Sequence, residues 1–109
     1  MLRTIDDLIP AGIDPKEWPD IHVLAATLFG ESRGEKLEVK LAVGCVIRNR
    51  SQNDVRWDGV DWKSTCLKDW QFSCWNKNDP NRIKLLRPLD YEPAYVWLDC
   101  LAAARIVME

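Results

Sequence analysis

The stretch FGESRGE, residues 29–35, sets two carboxylates, Glu31 and Glu35, four residues apart around Ser32, Arg33 and Gly34. On an unbroken helix the pair would share a face. Gly30 and Gly34 argue instead for a corner between two helices, with one carboxylate held against the wall of a cleft. A carboxylic acid kept protonated near neutral pH by apolar neighbours can protonate a leaving oxygen, as glycosidic bond cleavage requires. Leu28 and Phe29 are the expected apolar neighbours of Glu31. The negative end of the preceding helix would favour the protonated form as well. A plainer reading of the same residues leaves both carboxylates in water, with Glu35 capping the next helix and pairing with Lys36 or Arg33.

Other reactive types are less organised. Cys45, Cys66, Cys74 and Cys100 show no CxxC spacing, and the single His22 offers no second ligand, so no metal and no cofactor is expected. Cys45 and Cys100 fall in apolar helical segments and read as small core residues. Cys66 and Cys74 flank a loop and read as free thiols that could bridge only under oxidising conditions. Six tryptophans (18, 57, 62, 70, 75 and 97) either fill the core or form flat platforms for sugar rings. Trp97 reads as core, and His22 as an exposed helix residue without a role.

The elements that would position these groups are mainly helical. Residues 1–19 hold Pro10, Pro15 and Pro19 and read as an irregular lead-in with a helical turn around Ile5 to Ile9. Asp20 is the expected N-cap of a helix carrying Ile21, Leu24, Ala25 and Leu28 on one face and ending at Gly30. A second helix is expected from about residue 35 to 50. Its run LAVGCVI, residues 41–47, is apolar on every side, which marks a helix buried at the centre of the core. Gly44 within it costs about 1 kcal/mol relative to alanine, which implies another helix packed close by. Residues 51–91 lose periodicity and read as a long irregular region with a short helix capped by Ser64 and room for a few short strands. A last helix from residues 90–93 onward places Ala94, Trp97, Leu98 and Leu101 on one stripe.

The whole, 109 residues with 47% hydrophobic and 29% charged, reads as one domain. A net charge of −2 without a basic patch excludes a nucleic-acid binder. It also fits poorly with an anionic cell wall as partner. The N-terminus lacks a basic segment followed by an apolar run, and no stretch approaches the roughly 20 apolar residues of a membrane span. Synthesis in the cytoplasm without a signal peptide is the expectation.

Read together, LAATLFGESRGE (24–35), LAVGCVIRNR (41–50) and QFSCW (71–75) resemble, in order and approximate separation, the SleB/CwlJ family of cell-wall hydrolases, known from spore-cortex lysis and from phages. The resemblance covers about residues 20–105. The family's Gly-Glu-Ala-Arg-Gly-Glu segment is altered only by Ser32. The resemblance implies a lysozyme-like, mainly α (α+β) fold. It also implies lytic transglycosylase or muramidase cleavage between N-acetylmuramic acid and N-acetylglucosamine, with peptidoglycan glycan strands as partner. A monomer is expected, and action at the wall without an export signal calls for delivery by another agent, for example holin-type release. The family's catalytic carboxylate is the first Glu of its motif, here Glu31. Glu35, Gln71, Phe72 and Ser73 would bind substrate, and Arg33, Asn49 and Arg50 would support the site. Trp70 and Trp75 flank the QFS segment and either stack on sugar rings or pack in the core. A transglycosylase needs one carboxyl group, so the spacing rule for paired carboxylates does not apply. A hydrolase would need a second, for which Asp54, Asp58, Asp61 and Asp69 stand as unranked candidates. The family's Gly-rich, Asp-Pro-Thr-containing segment after the final helix has no counterpart before Glu109. That departure leaves open a non-catalytic saccharide-binding or virion structural module of the same fold.

Overall fold

A computed structural model describes residues 12–53, 61–68 and 71–109. The helical turn expected around Ile5 to Ile9, Trp57, Trp70, and Asp54, Asp58 and Asp69 lie outside the described residues. Among these residues six α-helices follow in order: α1 (Asp20–Ser32), α2 (Leu37–Asn53), α3 (Trp62–Leu67), α4 (Arg82–Leu86), α5 (Pro88–Tyr91) and α6 (Ala94–Met108). Among the described residues there is no strand, so the mainly α expectation holds and the short strands are absent there.

Pro19, not Asp20, occupies the N-cap position of α1, and its carbonyl accepts from the amides of His22 and Val23. Asp20 becomes the first helical residue, where its charge faces the positive end of the helix. From Val23 to Phe29 every residue of α1 is buried. The helix apolar on all sides is therefore α1, and it occupies the centre of the core that the sequence assigned to the second helix. Its course continues through Gly30 to Ser32, beyond the expected stop. Gly30 serves there as a small residue and not as a stop: a Cβ would come within 2.7 Å of Cys74 Sγ and Leu85 Cδ2.

On α2, Ile47 is buried, Leu41 and Val43 are half-buried, and Val39 and Val46 are exposed, so the apolar run 41–47 is covered on one side only. Gly44 does mark a close helix contact. A Cβ at this position would lie 2.6 Å from Val107 Cγ2, and α6 is the helix that packs there. The buried side of α6 comprises Val96, Trp97, Cys100, Leu101, Ala103, Ala104 and Val107. Leu98, expected on that stripe, is exposed, because Val96 and Cys100 take the flanks of Trp97 instead. Trp97 stands edge-on to Phe29, with ring centroids 6.3 Å apart, and stacks on His22 at 6.4 Å. His22 is thus half-buried against the core rather than exposed.

Residues 61–68 and 71–92 form a succession of short elements around α1. Elements of four to six residues span less than two turns, too short for a hydrophobic period to be legible. The cap of α3 is Asp61, whose carboxylate accepts from the amide of Ser64 at 2.7 Å, rather than Ser64 itself. Hydrogen bonding from Ser64, its hydroxyl first and its amide second, holds the Asp61 carboxyl below its ordinary pKa. A 3-10 turn, Ser73–Trp75, crosses the end of α1. The described part of the lead-in is also anchored. Residues 15–17 form a 3-10 turn, and Trp18 is buried with its indole N–H donating to the Ile13 carbonyl at 2.7 Å. Its ring meets Trp75 edge-on at 6.1 Å.

Candidate functional site

The FGESRGE segment is the last turn of α1 and the corner behind it. Ser32 is buried and its hydroxyl donates to the Leu28 carbonyl, which closes the helix. The Arg33 amide still reaches the Phe29 carbonyl, and the Glu35 amide donates to Ser32 O at 2.9 Å. A side chain from α2 completes the corner. Lys40 is 3% exposed, and its ammonium donates to the carbonyls of Arg33 and Glu35. The Arg33 carbonyl is one of the acceptors that a helix end leaves unpaired and the Glu35 carbonyl belongs to the corner behind it; one buried cation satisfies both. Lys40 was not singled out from the sequence, although it is the one charged residue in VKLAVGCVI, residues 39–47.

Arg33 faces away from Glu35. Its guanidinium pairs with Glu92 at 3.2 Å, donates to Asn81 Oδ1 at 3.4 Å and lies over the Phe29 ring at 5.4 Å. The corner is thereby tied to the N-terminal side of α4 and to the link before α6. Glu35 itself is exposed and contributes through its backbone. The expected pairing of Glu35 with Arg33 is replaced by Arg33–Glu92.

Glu31 is exposed, while Leu28 and Phe29 turn into the core, so those two do not surround its carboxylate. Its recorded partner is Cys74, buried at 3% exposure, whose thiol donates to Glu31 Oε1 at 3.5 Å. Burial pushes the Cys74 pKa upward, and the Glu31 carboxylate adds to this both as a neighbouring charge and as hydrogen-bond acceptor. Cys74 is therefore a neutral S–H donor over the whole range in which a carboxyl group titrates. It belongs to QFSCW, one of the segments that carry the family resemblance, although its thiol was read only as a loop residue.

The rest of that segment reaches α2. Arg50 lies over the Phe72 ring at 5.8 Å, and Phe72 is 8% exposed. Gln71 is half-buried, Ser73 is exposed, and Asn49 is exposed on α2. Trp75 is largely committed to the core: its indole N–H donates to Thr27 Oγ1 at 2.9 Å and its ring packs on Trp18. A cleft of about 800 Å³ opens beside it, lined by residues 14–16, 67–68, 75–80 and Arg82. Glu31 is not among its lining residues. Asp61 lies at the start of α3 as a helix cap, and among the second-carboxylate candidates it is the one within the described residues.

All four cysteines are free. Burial raises the Cys66 and Cys100 thiols to about 12, which leaves them inert as nucleophiles near neutral pH. Among the described residues no group of three or more His, Cys, Asp and Glu side chains could hold a metal ion. No helix among them is long and apolar enough to cross a membrane. Comparison of the chain with protein-family models, with curated proteins and with solved structures finds no match.

Proposed function

We propose that the protein cleaves peptidoglycan glycan strands between N-acetylmuramic acid and N-acetylglucosamine as a lytic transglycosylase, with Glu31 as its single catalytic acid and base. One observation carries the reading. The third of the segments that resemble the cell-wall hydrolases, distant in sequence from the other two, touches both in the fold: Glu31 of the first meets Cys74 of the third, and Arg50 of the second covers Phe72 of the third. In this reading Glu31 donates a proton to the glycosidic oxygen as the bond from C1 breaks. The muramoyl C6 hydroxyl then attacks C1 and gives its proton to the Glu31 carboxylate, which closes a 1,6-anhydro ring. Its exposed position leaves Glu31 open to a long polymer, and Gln71 and Ser73 stand on the same segment to meet the sugars.

Mass spectrometry of products from purified peptidoglycan tests this. The parent chain should release anhydro-muropeptides, and Glu31→Gln should lose about 10²-fold or more of that activity. Equal release by the variant would remove Glu31 from its role, and reducing-end products would make the enzyme a hydrolase. The position of the 800 Å³ cleft away from Glu31 favours one second reading, a saccharide-binding or virion structural module without chemistry. Co-sedimentation with insoluble peptidoglycan, without product release from the parent, would support it.

A further inference from the structure

We propose that Cys74 is a positioning residue for Glu31: its buried thiol donates to Oε1, fixes the carboxyl group in one orientation, and leaves Oε2 as the oxygen that carries and exchanges the proton. This rests on the reading of Glu31 as the catalytic acid. The geometry behind it has two parts. The thiol reaches Oε1 at 3.5 Å from a site with 3% exposure, so the donor is enclosed while the acceptor is open. The backbone of Gly30 then sets the place of the sulfur, since a Cβ there would come within 2.7 Å of Cys74 Sγ and 2.8 Å of its Cβ. The residue before the carboxylate and the residue bonded to it are thus packed against each other, and the Ser73–Trp75 turn cannot slide along α1 without breaking that fit.

The chemical consequence follows from what each oxygen can do. A protonated carboxyl group has one carbonyl oxygen, which only accepts, and one hydroxyl oxygen, which donates. A thiol donor facing Oε1 favours the carbonyl at Oε1 and hence the acidic proton at Oε2. After the proton has left, the same bond holds the carboxylate in place for its return. An exposed glutamate at a helix end otherwise samples several rotamers. A neutral thiol restrains it with a weak bond and adds no charge, which a lysine or arginine in the same place would do.

The nearby charged groups are accounted for. Asp79 lies close enough to act on the Cys74 thiol in the same sense as Glu31, and its carboxylate is occupied by the Asn81 amide at 2.8 Å. On the side of α1, Arg33 is paired with Glu92, and Lys40 is bound to backbone carbonyls.

Infrared spectroscopy of the S–H stretch tests the contact without any need for activity, using the intact chain. The Cys74 band is the one lost in Cys74→Ala. It should move to higher frequency in Glu31→Ala, and an unchanged band would overturn the proposal. In the glycan assay Cys74→Ala should lower kcat about 3- to 10-fold with KM unchanged, an effect sized as the loss of one ordinary hydrogen bond. Cys74→Ser, which keeps a donor, should recover most of the loss. Loss in both variants alike, or a change confined to KM, would overturn the positioning role. If the parent releases no product while the band still responds to Glu31→Ala, the transglycosylase reading fails and the contact stands.

Discussion

Two ends of one helix are held by different forces. Through residues 23–29, α1 lies against α6 with every side chain buried, and Trp97 of α6 meets Phe29 edge-on. From residue 31 to 35, packing gives way to polar bonds: Lys40 to two carbonyls, Arg33 to Glu92 and Asn81, Cys74 to Glu31. The first region is stabilised by area removed from water, which is non-directional and tolerant of small shifts. The second depends on donors placed opposite particular acceptors, which is directional and fails when either is displaced. The proposed acid sits in the second region, where orientation is controlled, with the first as its rigid support.

Trp97→Ala should show the largest effect, because it empties the contact between Phe29, His22 and α6. A loss of about 3–5 kcal/mol is expected in urea unfolding. A much smaller loss would mean that the α1–α6 seam is not the main source of stability. Lys40→Met comes next. It leaves the Arg33 and Glu35 carbonyls without their donor but also removes a buried charge, so the expected net loss is about 1–2 kcal/mol by thermal unfolding. Unchanged stability would show that the lysine only offsets its own desolvation, and the contrast between the two regions would weaken. The smallest and sharpest test is a pair of glycines. Gly30→Ala meets Cys74 and Leu85 and should cost about 1–2 kcal/mol after the gain in helix propensity. Gly34→Ala meets nothing within 4 Å and should stay within about 0.5 kcal/mol of the parent. Equal effects at the two positions would contradict the packing at Gly30.

The same contrast explains what was legible in the sequence. Helices longer than three turns declare themselves through apolar spacing, and Gly44 announced the α2–α6 contact through its very presence in an apolar run. Gly30 carried the same meaning and was read as a stop, because a glycine near the end of a pattern serves both purposes equally well. Burial depth was harder to assign. LAVGCVI looks more central than HVLAATLF, yet position in the fold, not composition, decides which helix is enclosed. Lys40 was invisible because a lysine in the first turns of a helix is usually solvated. The Cys74–Glu31 contact spans residues whose proximity depends on how α1 and the 71–82 segment cross, and no local pattern encodes that crossing.

The edge-on pairing of Trp18 with Trp75 has a spectroscopic consequence. Two indoles 6.1 Å apart at an interplanar angle of 70° share their excited states, and such a pair produces a split circular-dichroism band on top of the helical signal. Trp18 comes from the lead-in before α1, and Trp75 from the turn that carries Cys74. The amplitude of that band therefore reports directly on whether the segment bearing the thiol is docked, in a solution containing nothing but the protein.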